Sequence, residues 1–504
     1  MTALVLLALC LYGLILTLLF IYGLNFYHLL YLAVRDRESE PEKPPLTEYP
    51  SVTVQLPVYN ERYVVRRLID AAAAINYPPD RLQIQVLDDS SDENRSIAAA
   101  AVAHHRNRGV NILHVRRKKR TGFKAGALAH GLESAQGDFV AIFDADFLPE
   151  HDFLRETIPH FNDPEVGFVQ TRWDHLNVRY SLLTHLQALS IDGHFGVEQF
   201  ARFHGGYFMN FNGTAGVWRR AAIEDAGGWS ARTLTEDLDL SYRAQLNGWR
   251  PVYLRDCSTK AELPVRLNAY RRQQYRWARG SFETARLMIP DVLRAKIDHA
   301  TKLQALLHLT GYGIHALMFL LALIYPAIAH LSIGRAYLVE LFGLAMVFNF
   351  TAFAPTLYFT QAQAEMGRDW LKLLPRIFFL SILGSGMMVN NVQAILHSFS
   401  RNSGEFERTP KYGIVGTMKR RGSAQYQSSA GALILVELGM LAYNLNTIRM
   451  ALSVGNLIIA VYSGIFALGL LYVLTMTVIE ELGPRVKAWG SRLSEEQIND
   501  PQNA

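Results

Sequence analysis

The sequence predicts an α/β domain with a Rossmann-like sheet, set between apolar helices that cross a membrane. Three observations predict it. Half of the 504 residues are hydrophobic, and the excess lies in the two flanks, while residues 50–300 read as an ordinary charged globular region. Within that region short apolar runs alternate with helical stretches, the pattern of parallel strands joined by helices. Basic residues bunch beside the apolar segments, and the net charge of +5 is small for the length. That distribution suits anionic lipid and argues against a nucleic-acid partner. Two cysteines, Cys10 in an apolar segment and Cys257 in the charged region, exclude a disulfide framework.

Taken in order, Ala3 through Val34 carries no charge until Arg35. It exceeds the ~20 residues that span a bilayer, so residues 1–35 read as a spanning helix that tilts or continues past the membrane. The start lacks the basic region and small-residue cleavage site of a signal peptide. After a Pro-rich linker at 41–45, Ser51–Leu56, Ile84–Leu87 and Phe139–Phe143 read as strands, with helices at Val64–Ile75 and Ile97–Arg108 between them. The α/β domain is expected over 36–290, followed by an interfacial helix at 291–310.

Apolar segments at 311–331, 336–360, 431–450 and 453–478 read as two transmembrane hairpins, within 311–360 and 431–480. Ile377–Leu396 is also apolar but carries Asn390, Asn391, Gln393 and His397, and basic residues lie on both sides of it. The positive-inside rule then places both its flanks in the cytosol, so 361–430 reads as an interfacial or re-entrant helix and a loop. The expected topology has about five crossings, with the α/β domain and the tail 481–504 cytosolic.

Five motifs carry chemistry. Asp144 and Asp146 follow a strand in Phe-Asp-Ala-Asp-Phe, where a turn lets two carboxylates share Mg²⁺ or Mn²⁺ with a diphosphate. Taken alone, Asp-x-Asp is a weak signal and more often a solvated turn. Asp88 and Asp89 end an earlier strand, where open α/β sheets bind nucleotides, whereas Ser90, Ser91 and Asp92 read as helix caps. Lys124 follows a glycine turn at a helix start, a place that suits phosphate. The run Arg116–Arg120 upstream reads as solvated or lipid-facing. Thr235-Glu236-Asp237 precedes a helix over Leu238–Leu246 and supplies a candidate base. Gln273, Arg276 and Trp277 fall at i, i+3 and i+4 of a helix and so share one face. Arg276 suits a departing diphosphate and Trp277 a sugar ring, although an Arg–Trp pair also snorkels at membrane interfaces.

In this order, and followed by a membrane region, the motifs resemble the family 2 glycosyltransferases of the cellulose synthase superfamily over about residues 50–415. The resemblance implies a GT-A fold and places Tyr59, Glu61, Asp88 and Asp89 on the nucleoside. It places Asp144 and Asp146 on the metal, and Lys124, Gln273 and Arg276 on the diphosphate. Asp237 becomes the general base, and Trp277 lies below the acceptor sugar with Glu236 nearby. Asn212, Gly213 and Thr214 fall in the acceptor-contacting loop, where cellulose synthases carry Cys at the Asn212 position. Phe406, Arg408, Thr409 and Lys411 resemble a gating loop, Arg408 standing where that motif has Val. His194-Phe-x-x-Glu198-Gln199, Glu262-Leu-Pro264 and Ala-Tyr-Arg-Arg-Gln-Gln look most like the cellulose-synthase-like A and C groups, the mannan and xyloglucan-backbone synthases.

The expected protein is an inverting, metal-dependent processive glycosyltransferase. It would draw on UDP-Glc or GDP-Man and pass a growing β-glucan or mannan through the membrane. A non-processive enzyme adding one sugar to ceramide or diacylglycerol is the alternative, and a catalytically dead transporter or scaffold is disfavoured by the intact carboxylates.

Overall fold

The computed structural model describes residues 3–498 apart from 40, 42, 47, 332, 334–348, 401–408, 418–430 and 432, with side chains described from residue 5 to 481. The α/β domain is built on one sheet of eight strands in the order β3-β2-β1-β4-β7-β6-β8-β5. They are β1 Val52–Val58, β2 Leu82–Asp88, β3 Ile112–Val115, β4 Phe139–Ile142, β5 Phe147–Leu148, β6 Val166–His175, β7 Gly216–Arg219 and β8 Arg250–Ala261.

Every residue of β1 and β2 is buried, as expected of strands covered by helices on both faces. Their polar residues pair with each other instead of with water. Thr53 Oγ1 donates to Gln83 Oε1 at 2.9 Å and Gln55 Nε2 to Gln85 Oε1 at 3.1 Å. Helix Phe123–Glu133 lies so close over this ladder that a Cβ on Gly131 would stand 2.6 Å from Gln55 Nε2.

The parallel expectation holds for half the sheet. β3, β2, β1 and β4 run parallel, but β7 is antiparallel to both β4 and β6, and β5 is antiparallel to β8. The sheet is therefore mixed. The reversal comes from β7, a four-residue strand entered through the sharp turn at Gly213 and Ala215, both at positive φ.

Among the described residues, three helices are long and apolar enough to cross a membrane: Val5–Arg35, Gly313–Leu331 and Leu457–Glu481. Trp370–Gly386 and Met388–Ser398 pass the same test only together and are bent by 47°, a broken span or a re-entrant loop. Helix Leu433–Ser453 is formed but is not in that set, and most of the expected span 336–360 lies outside the described residues. Leu29, Leu32 and Ala33 of the first helix sit in the hydrophobic core that covers one face of the sheet. The helix thus runs on past membrane length and docks onto the domain.

Helix Leu267–Arg294 joins the two parts. The Glu480 carboxylate accepts the backbone N–H groups of Leu267 and Asn268, a cap supplied by the last apolar helix. Arg271 Nη2 donates to both Glu437 oxygens at 2.7 Å in a buried pair.

Candidate active site

The strand ends of β1, β2, β4, β6 and β8 open on one cleft of about 170 Å³. Carboxyl ends of strands are where an open α/β sheet places a ligand site. Tyr59, Glu61, Asp89, Lys124, Asp144, Asp146, Asn212, Glu236, Asp237, Gln273, Arg276, Trp277, Thr409 and Lys411 all line it. Fourteen widely separated residues singled out in the sequence thus share one wall system.

A turn in which Phe147 N–H donates to Asp144 O at 2.9 Å carries both carboxylates of the Asp-x-Asp into the cleft. The Asp144 N–H is held by Thr214 Oγ1 at 2.9 Å. Each carboxylate meets an ammonium. Lys124 Nζ is 2.6 Å from Asp144 Oδ1 and donates to Gly213 O at 2.8 Å. Lys411 Nζ donates to Asp146 Oδ2 at 2.6 Å and also to Glu262 O. Burial alone would lower the Lys124 pKa, but Asp144 and Glu236 outweigh it and raise it.

Glu236 and Asp237 open the helix Glu236–Leu246, with Thr235 at its N-cap, so the motif begins the helix instead of preceding it. Burial, and the neighbouring Glu236 charge, push the Asp237 carboxyl up to about 7, against the opposing pull of Lys124. Gly213 lies against it at φ 79°, and a Cβ there would stand 2.8 Å from Asp237 Oδ2 and 3.2 Å from Lys124 Nζ. Only glycine leaves the acid and the ammonium room.

Besides Gly213, which packs against Asp237 and Lys124, two expected residues do not line the cleft. Asp88 is buried below the cleft, where Oδ1 accepts the Ser90 N–H at 2.9 Å and Oδ2 meets His114 Nε2 at 2.9 Å. It supports the loop, and Asp89 alone reaches the wall. Thr214 acts behind Asp144 instead of lining the space. Phe406 and Arg408 lie outside the described residues.

The basic run departs from its sequence reading. Arg117 grips Asp89 through Nε at 3.0 Å and Nη2 at 2.5 Å, and the Arg120 guanidinium stacks 3.6 Å over the Tyr59 ring centroid, in the cleft wall. Five consecutive basic residues look like surface, and only the reach of two of them back to the β1 and β2 ends makes them part of the site. His175 was also missed. It lines the cleft, its Nε2 pairs with buried Asp192 at 2.9 Å, and Asp192 in turn takes Arg368 at 2.5 Å.

Among the described residues no cluster of three acidic, His or Cys side chains forms a closed metal cage. Two carboxylates at an open strand end still fit a hard divalent cation that completes its shell with substrate oxygens.

Residues 50–280 match the family described as Glycosyltransferase like family 2. The chain is 45% identical over 266 residues to "Probable glucomannan 4-beta-mannosyltransferase 4" of Oryza sativa subsp. japonica, covering 52% of this chain and 48% of the relative. It is 45% identical over 255 residues to "Glucomannan 4-beta-mannosyltransferase 2" of Arabidopsis thaliana, covering 50% and 48%. The chain thus spans about half the length of these curated relatives. Among solved structures, the mannosyltransferase PcManGT from Pyrobaculum calidifontis, in complex with GDP-Man and Mn²⁺, aligns at a TM-score of 0.46 and 22% identity over 69% of this chain and 98% of that one. A likeness at that level carries no functional argument.

Proposed function

We propose, from the match of residues 50–280 to the family 2 glycosyltransferases, that the protein is an inverting, metal-dependent synthase of a β-linked glucan or mannan. One observation carries the reading: Asp237, raised to about 7, shares a cleft with the Asp144–Lys124 pair and with Gln273, Arg276 and Trp277.

The chemistry follows from these neighbours. Asp144 and Asp146 would hold Mg²⁺ or Mn²⁺, which supplies charge neutralisation for the leaving diphosphate. Lys124 and Arg276 bring further positive charge to that side, and Gln273 a hydrogen-bond donor. Thr409 Oγ1, buried and without a partner among the described residues, faces the same cleft and suits a diphosphate oxygen. Asp237 takes the proton of the attacking acceptor hydroxyl, and a carboxyl near 7 is matched to that task at neutral pH. A base facing the sugar opposite its leaving group gives displacement with inversion, so an α donor yields a β product. Trp277 offers the acceptor ring a flat apolar face. The growing chain and membrane lipids are the further partners, with the catalytic domain on the cytosolic side.

The test is to incubate the purified protein with Mg²⁺ or Mn²⁺ and a panel of labelled UDP- and GDP-sugars, then size the product and digest it with linkage-specific glycanases. Long glycanase-sensitive chains support the reading. A single sugar on a lipid would replace it with the lipid-acceptor alternative, and no transfer from any donor would refute both.

A further inference from the structure

The wall of the cleft around Asn212 contains a device that the resemblance did not describe. Between helices Leu182–Gly193 and Phe200–His204 the chain winds one π turn, His194–Gln199. Such turns are rare and concentrate at functional sites, because the extra residue re-aims the side chains that follow. Here the side chains of His194 and Gln199 both reach the Asn212 amide.

The hydrogen bonds leave no freedom in how that amide points. Gln199 Nε2 lies 2.7 Å from Asn210 O, a carbonyl that can only accept, so this end of Gln199 is its NH₂ group. The same Nε2 lies 2.6 Å from Asn212 Oδ1, which must therefore be the amide oxygen. Asn212 Nδ2 then donates to His194 Nε2 at 3.0 Å, so Nε2 carries no proton. The imidazole proton sits on Nδ1 and is donated to Glu198 Oε2 at 3.0 Å. Glu198 is held as a carboxylate. Burial would raise it, but Arg202, at 3.0 Å from Oε1, and His194 outweigh that and keep it well below the usual range. From buried Arg202 to Asn210 O the chain of donors and acceptors has one solution. It leaves Asn212 with its oxygen occupied and one Nδ2 hydrogen without a partner among the described residues.

We propose that the π turn His194–Gln199 is the positioning device of the acceptor subsite, fixing Asn212 so that it offers the cleft an N–H and no carbonyl. The group selected is a sugar oxygen acting as hydrogen-bond acceptor on the terminal residue of a β-linked oligosaccharide. The inference rests on the reading that the acceptor enters beside Asn212. His194 and Gln199 are positioning residues, since they act only through Asn212.

The experiment measures binding of β-1,4-linked mannotetraose by calorimetry to the full-length protein with nucleoside diphosphate bound, alongside transfer kinetics, for the wild type, His194→Phe, His194→Gln and Asn212→Asp. Asp keeps the shape of Asn but has no N–H, and Gln can still accept from Asn212 Nδ2. The expected result is that Asn212→Asp and His194→Phe weaken mannotetraose binding about five- to tenfold, the worth of one neutral hydrogen bond. That loss appears in the acceptor KM, the Kd for nucleoside diphosphate is unchanged, and His194→Gln recovers most of it. Unchanged mannotetraose binding in Asn212→Asp or His194→Phe overturns the proposal, as does a Gln variant no better than Phe. If the wild type binds mannotetraose in this His194-dependent way but transfers no sugar, the proposed function fails and the subsite stands. If the wild type does not bind it, the subsite fails.

Discussion

The two walls of the cleft are built on opposite principles. On the strand-end side, carboxylates are each met by a cation: Asp89 by Arg117, Asp144 by Lys124 and Asp146 by Lys411. On the Asn212 side the groups that meet at Asn212 are amides and an imidazole, and an ion pair, Glu198 with Arg202, stands behind them. Ion pairs are strong but weakly directional, and their partners can be exchanged when a charged ligand arrives. Amide hydrogen bonds are individually modest but fix orientation. The difference fits a reaction in which charge departs on one side and a neutral hydroxyl must be aimed on the other.

The largest effect that separates the walls is expected at Asp237, between them. Asp237→Asn should lower kcat by about 10²–10⁴-fold, the usual range for a general base, while the Kd for nucleoside diphosphate stays put. Normal turnover in that variant would remove the base from the scheme. The rate of the wild type should rise as pH passes through about 7. Stability should move the other way. A carboxyl raised from 3.8 to about 7 keeps its proton in the fold while the unfolded chain has already lost it, so stability falls as pH rises across that interval. Thermal unfolding of Asp237→Asn should lack that fall, and an equal slope in both proteins would contradict the raised value.

Next comes Arg117→Ala, which strips the Asp89 carboxylate of its partner where both side chains are nearly buried. Breaking such a pair costs about 3–5 kcal/mol, to be read as a lowered thermal midpoint; an unchanged midpoint would return Arg117 to the surface. Asp144→Asn should weaken metal-dependent donor binding by at least the about 10–100-fold that loss of a supporting group costs a metal site. An identical Mn²⁺ titration would exclude it as a ligand. Smallest is Gly213→Ala, where positive φ and the crowding by Asp237 cost about 1–3 kcal/mol of local strain. If the variant keeps both its thermal midpoint and its rate, the close approach at Gly213 is not needed.

The two walls were also unequally readable from sequence. Asp144, Asp146, Asp237, Gln273, Arg276 and Trp277 sit in short segments whose type and spacing already imply strand ends and helix faces. Local pattern therefore led to the cleft. Arg117 and Arg120 were hidden because a run of basic residues looks alike whether it faces water or folds back. The π turn was invisible for a different reason: His194, Glu198 and Gln199 stand at ordinary helical spacing, and only the extra residue per turn brings His194 and Gln199 onto Asn212. Asp88 and Asp89 show the limit of adjacency, since neighbouring side chains at a strand end face opposite ways. The mixed half of the sheet escaped because the four-residue β7 pairs antiparallel through contacts far apart in the chain.

The helix that carries Gln273, Arg276 and Trp277 does not stand on the catalytic domain alone. Its first turn is capped by Glu480, and Arg271 is clamped by Glu437, so two of its footings belong to the apolar helices. On the proposed function, the tool that would grip the substrate is thus bolted to a chassis of apolar helices suited to lipid. Loosening that chassis, by harsh detergent or a bilayer of the wrong thickness, would tilt the tool without touching a residue in the cleft. Catalytic aim and membrane fit are then one mechanical property.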